Sequence, residues 1–155
     1  MLSIILFLTF ITAPIYAGKI ASHYLVEYGE STNIHWVEDD WVNNETKSIL
    51  RLNDTTVTVH KGGIYLIYAF ITFYDLSRMS GINVKISDVD KVKCIVTEQL
   101  RGDLKDYPAS HGVFHQCTLT FVTKLKKYDT IYFDNYHARN IVNNTGLAYW
   151  GMIKI

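Results

Sequence analysis

Apolar positions along this chain alternate with polar ones, and no stretch sustains a helical period. From Ser22 onward, short runs of β-branched and aromatic residues are divided by polar turn residues, the pattern of successive strands. Ser22 to Tyr28 predicts a first strand and Asn33 to Trp36 a short second one. Ile49 to Leu52 follows, then a turn at Asn53-Asp54. The segment Thr55-Thr56-Val57-Thr58-Val59-His60 consists almost wholly of β-formers. Beyond the turn Lys61-Gly62-Gly63, the apolar run Ile64 to Phe73 predicts a central strand buried on both faces.

Ile82, Val84 and Ile86 alternate with Asn83, Lys85 and Ser87, which predicts a half-exposed strand. Asp88 to Asp90 reads as a tight turn, after which Val92, Cys94 and Val96 alternate with Lys91, Lys93 and Ile95. Val113 to Leu125, Thr130 to Asn135 and Leu147 to Ile155 bring the total to about ten strands, with no helix between them. Parallel crossovers need a dozen or more residues, usually helical. The expected fold class is therefore all-β: an antiparallel sandwich or jelly roll.

Several of these segments carry a family likeness. Val59-His60-Lys61-Gly62-Gly63-Ile64-Tyr65-Leu66-Ile67-Tyr68 resembles a stretch of the tumour necrosis factor ligands: a strand, a glycine, an apolar residue, tyrosine, two apolar residues and tyrosine. Tyr149-Trp150-Gly151-Met152-Ile153-Lys154-Ile155 is similar to that family's final strand, aromatic-aromatic-Gly-apolar-apolar-x-apolar. Phe121 to Asp129 resembles its strand and Lys-Gly-Asp turn, with Tyr128 in place of the glycine. Ile34-His35-Trp36 resembles its short early strand, and Leu119-Thr120-Phe121 departs from its usual Leu-Gly-Gly.

The likeness implies a jelly roll that assembles as a homotrimer and binds receptors of the tumour necrosis factor receptor family in the grooves between subunits. Tyr68 and Tyr149 match positions lining the trimer axis, against the alternative that they are ordinary core residues. Tyr65 is balanced between the two readings. Loops at groove edges would carry receptor contact. Val89, Tyr107, Tyr136, His137 and Arg139 are the residues proposed for it, Tyr and Arg being enriched among binding hot spots.

A length of 155 residues suits one domain, and 48% hydrophobic residues support a packed core. Lys plus Arg equals Asp plus Glu, at 15 each, so the chain lacks the basic field that nucleic-acid binding needs. Residues 1–17 form an uncharged apolar run broken by Pro14 and closed by the small Ala17. They read as a secretory signal peptide, leaving 18–155 as a jelly-roll domain. An uncleaved anchor is the alternative, but the run is short against the roughly 20 residues of a spanning helix. Asn44, Asn53 and Asn143 each open an N-x-Thr sequon, which fits a secreted, extracellular glycoprotein with no stable membrane insertion after cleavage.

Cys94 and Cys117 fit the same compartment. They are either a disulfide or two buried thiols, and secretion favours the disulfide. It would close a loop of about 24 residues, worth about 3 kcal/mol in the chain-entropy account. No hydrolase, zinc-protease, dinucleotide or Walker motif occurs, so neither enzymatic activity nor a cofactor is expected. His111, His115 and Cys117 have metal-like spacing but lack a fourth ligand, and read as loop histidines. Asp88-Val89-Asp90 reads as a solvated turn. The acidic run Glu38-Asp39-Asp40 and the basic cluster Lys124, Lys126 and Lys127 read as solvated faces or salt-sensitive receptor contacts.

Three alternatives to a signalling ligand stand beside it. One is a non-signalling decoy of the same fold. Another is a complement-type head, which would follow a Gly-X-Y stalk that is missing from the sequence. The last is a lectin-like sandwich using exposed aromatics such as Trp41.

Overall fold

All strand pairings among the described residues are antiparallel. The computed structural model describes residues 20–30, 33–75, 79–97, 113–136, 141–142 and 146–155. The strands are β1 (Ala21–Glu30), β2 (Asn33–Glu38), β3 (Leu50–Asn53), β4 (Thr56–Val59), β5 (Gly63–Asp75), β6 (Met79–Ile86), β7 (Val89–Thr97), β8 (Val113–Leu125), β9 (Thr130–Tyr136) and β10 (Ala148–Lys154). Hydrogen bonding runs β3-β4-β9-β2-β1-β10-β5-β8, with β6 also on β9 and β7 on β6. Since β2 and β9 share only the pair Asn33↔Asp134, the strands divide there into two layers. One layer is β2-β1-β10-β5-β8 and the other is β3-β4-β9-β6-β7. The architecture is the expected antiparallel jelly roll.

The core lies between the layers. Tyr24 of β1 and Trp36 of β2 meet Trp150 of β10 and Phe133 of β9, with the Tyr24–Trp150 and Phe133–Trp150 ring centroids 4.5 and 4.7 Å apart. Ile34, Ile67, Ile71, Ile82, Ile131 and Met152 are fully buried around them. Each such side chain contributes about 1.5–3 kcal/mol by leaving water.

Four local expectations change. The described residues include a short helix, α1 (Asn44–Ile49), where none was expected. It forms because the Asn43 side chain accepts a hydrogen bond from Thr46 N at 2.8 Å, capping its first turn. Strand β5 is not buried on both faces in the single chain. Tyr65, Ile67, Ala69, Ile71 and Phe73 point into the core, while Leu66, Tyr68 and Phe70 on the other face remain half-buried. Strand β6 is more buried than its alternation suggests, because it lies between β7 and β9. Its Asn83 is buried and donates to Asp90 Oδ1 at 2.6 Å. The following turn falls one residue early, at Ser87-Asp88. Their φ angles of 48° and 65° make a two-residue hairpin turn between the partners Ile86 and Val89.

Cys94 and Cys117 form a disulfide with Cα atoms 5.8 Å apart. Cys94 lies on β7 and Cys117 on β8, the last strands of the two layers, so the bond fastens the layers along that side.

Candidate functional site

The β1-β10-β5-β8 layer has a second face, turned away from the core, and register fixes what it carries. Ala21, Ile153, Leu66 and Val122 stand in one row across the strands. His23, Gly151, Tyr68 and Thr120 form the next, followed by Leu25, Tyr149, Phe70 and Thr118. Tyr24, Trp150, Ala69 and Leu119, one position along in each strand, are buried in the core, so these three rows face outward.

Aromatic rings dominate the face. Tyr149 stacks on Phe70 with centroids 5.3 Å apart and planes 6° from parallel. His23 lies 5.1 Å from the Tyr149 ring and 5.9 Å from that of Tyr68. Trp41, from the segment between β2 and α1, lies 6.1 Å from His23 and is 56% exposed. Val122 is 58% exposed at the β8 edge, where Phe114 and Tyr74 add a further exposed aromatic pair. An outward face this rich in aromatic side chains is a candidate interaction surface. Tyrosine and tryptophan suit it because each pairs a large rigid apolar body with a polar handle.

Two polar groups on this face, His23 and Tyr68, are shifted by their surroundings. Burial holds His23 below its ordinary pKa, opposed by the carboxylate of Asp39. Burial pushes the Tyr68 hydroxyl up, with smaller contributions from Tyr149 and Asp39. The Tyr68 hydroxyl and His23 Nδ1 are 2.9 Å apart and hydrogen-bonded. The ring of Tyr68 occupies the space where a side chain at position 151 would stand, so glycine there is a steric requirement.

Tyr68 and Tyr149, singled out from sequence, are therefore brought together on this face, outside the core cluster. Tyr65 is a core residue, fully buried, with its hydroxyl donating to Lys61 O at 2.5 Å. His23 and Phe70 escaped the sequence reading, and Trp41 entered it only as an exposed aromatic of the lectin-like alternative. The signal available for the first two was strand parity, since His23 neighbours inward-facing Tyr24 and Phe70 sits two residues after Tyr68.

Val89 opens β7 and is 55% exposed. Asn44 and Asn53 are exposed. Tyr107, His137, Arg139, Asn143 and His111, together with the side chain of Tyr136, lie outside the described residues. His115 is no loop residue: it sits on β8, buried, while Cys117 is committed to the disulfide. Asp90 pairs with Lys93 and Asp88 accepts from the Tyr132 hydroxyl at 3.0 Å. Among the described residues no three acidic, histidine or cysteine side chains are grouped to hold a metal ion.

The double-layered antiparallel jelly roll is the fold of the tumour necrosis factor ligands. Murine APRIL, solved at pH 5.0, superposes with a TM-score of 0.70 at 17% identity, covering 89% of this chain and 100% of that one. Eiger TNF from S. frugiperda gives 0.70 at 16% identity, covering 88% and 92%. Both are ligands of the tumour necrosis factor family, and the likeness is one of fold. No family model and no curated protein matches the sequence.

Proposed function

We propose that this chain is a secreted, cytokine-like ligand that trimerises through the outer face of the β1-β10-β5-β8 layer and binds tumour necrosis factor receptor-type ectodomains in the grooves between subunits. The observation that carries this reading is the outward lattice of Leu66, Tyr68, Phe70, Tyr149 and Val122, an apolar face that the single chain leaves half open. Closed threefold symmetry buries such a face three times over and creates grooves at the subunit boundaries. The shared fold of the tumour necrosis factor ligands supports the same assembly.

In this reading residues 1–17 are a signal peptide that is removed, and glycans are carried on Asn44, Asn53 and Asn143. Receptor contact falls to Val89, Tyr107, Tyr136, His137 and Arg139 at the groove edges. The activity is binding, with no catalytic step and no cofactor.

Light scattering on the secreted, deglycosylated protein tests the proposal. A trimer has a mass of about 48 kDa, against about 16 kDa for one chain. A stable monomer would remove the inter-subunit groove and overturn the mechanism.

A further inference from the structure

One end of the sandwich gathers lysines that lie outside the residues to which the proposed function gives receptor contact. The β4–β5 and β8–β9 turns abut there: Tyr128 N donates to Val59 O at 2.6 Å, and Val59 N donates to Asp129 O at 2.9 Å. Lys154 Nζ donates to Gly62 O at 3.0 Å, and Lys124 is the strand partner of Ile64. Lys61, Lys126, Lys127 and Lys154 thus gather at this end, the first three exposed, while exposed Lys124 stands one row beyond Val122 on the outer face of the sheet. None of the five forms an ion pair among the described residues, whereas Lys47, Lys85 and Lys93 are paired with Glu38, Asp134 and Asp90. Two acidic side chains stand beside them. Asp129 accepts from Lys126 N and the Ser87 hydroxyl, and Asp88 from Tyr132, so positive charge remains in excess.

Two further features adjoin the lysines. Tyr128 sits at φ 74°, a left-handed conformation costly for a ring-bearing residue, and is 62% exposed. Its ring lies 4.7 Å from Lys127 Nζ and edge-on to His60. Beside His60, the neighbour of Lys61 in sequence, opens a cleft of about 480 Å³ lined by Glu38, Lys47, Ser48, Arg51, Leu52 and His60, its one carboxylate, Glu38, being paired with Lys47. A strained, exposed aromatic maintained among unpaired cations points to function more than to folding.

We propose that this end of the molecule binds a sulfated polysaccharide. Its sulfates would be held by the lysines in charge-assisted hydrogen bonds. A sugar ring would lie on Tyr128, and the linear polymer would continue along the cleft toward Arg51. A local cationic patch suffices in a chain of zero net charge, because screening confines the attraction to about 8 Å. Anionic lipid is the weaker partner, since it is concentrated on the cytoplasmic leaflet. The choice rests on the extracellular placement proposed above.

Heparin is the probe, with phosphatidylserine vesicles in parallel, against the folded, disulfide-bonded protein. Binding at about 0.15 M salt is expected, weakening steeply as salt rises. K61A/K126A/K127A should weaken heparin binding about tenfold or more, while K85A/K91A/K93A, with the same change in charge, stays within about twofold. Y128G should weaken it with folding intact. If the triple variant folds poorly, as read by its melting, K126E and K127E singly carry the same expectation. No binding at that salt, equal losses in both triple variants, or preference for vesicles over heparin would overturn the proposal. Failure of secretion or trimerisation would overturn the ligand reading instead, because the heparin isotherm uses neither the secretory route nor a receptor.

Discussion

Nδ1 of His23 and the hydroxyl of Tyr68 meet at 2.9 Å across β10, because position 151 between them carries no side chain. A Cβ at Gly151 would overlap the Tyr68 ring and approach Ser22 O, a backbone atom, to 2.5 Å. Moving the ring alone would not relieve the second contact. G151A should therefore destabilise the fold by about 2 kcal/mol, as overpacking does. Urea denaturation of the two proteins measures the difference, and an unchanged midpoint would refute the steric argument.

Tyr149 and Phe70 are stacked on the face proposed to bury itself in the trimer. Neither belongs to the core cluster, so Y149A should fold. It should weaken assembly by about 2 kcal/mol per contact, the scale of an interface hot spot. Light scattering across a dilution series would then find dissociation at a concentration where the parent remains trimeric.

Acidification should weaken the protein through His23. Its folded pKa lies below the ordinary value because burial disfavours the charged ring. The unfolded chain takes up the proton near pH 6.5, before the folded chain does. The stability contribution is therefore complete above that pH and is lost as pH falls toward the depressed folded value. Urea midpoints between about pH 7.5 and 5 should fall, and H23Q should flatten this part of the profile.

Tyr128 predicts a conflict between stability and binding. Relief of its left-handed backbone is worth about 1–2 kcal/mol, partly offset by the greater freedom of glycine in the unfolded chain. Y128G should raise stability by about 0.5–1 kcal/mol, read from the urea midpoint. A destabilised variant would mean that the contacts with His60 and Lys127 outweigh the strain.

Much of this fold was legible in the sequence, for identifiable reasons. Val113 to Leu125 matches β8 at both ends because thirteen residues of alternation leave little room for error. Helix α1 was missed because six residues are too few to display a helical period, and its signal was the cap at Asn43. Strand β5 reads as apolar on both faces, which composition alone cannot assign to core or interface. Register made that assignment by aligning Leu66, Tyr68 and Phe70 with the outward residues of β10 and β8. The hydrogen bond between Tyr68 and His23 joins residues 45 apart in sequence, a relation that only strand order creates.

The disulfide between β7 and β8 also bears on aggregation. Each of those strands pairs on one side only among the described residues, leaving a row of backbone donors and acceptors without a strand partner. Such borders invite another chain to add itself in β-register. By holding the two borders together, Cys94 and Cys117 keep both from parting and templating growth. In a reducing compartment the same sequence would present two such templates, so the bond protects the protein's solubility as well as its stability.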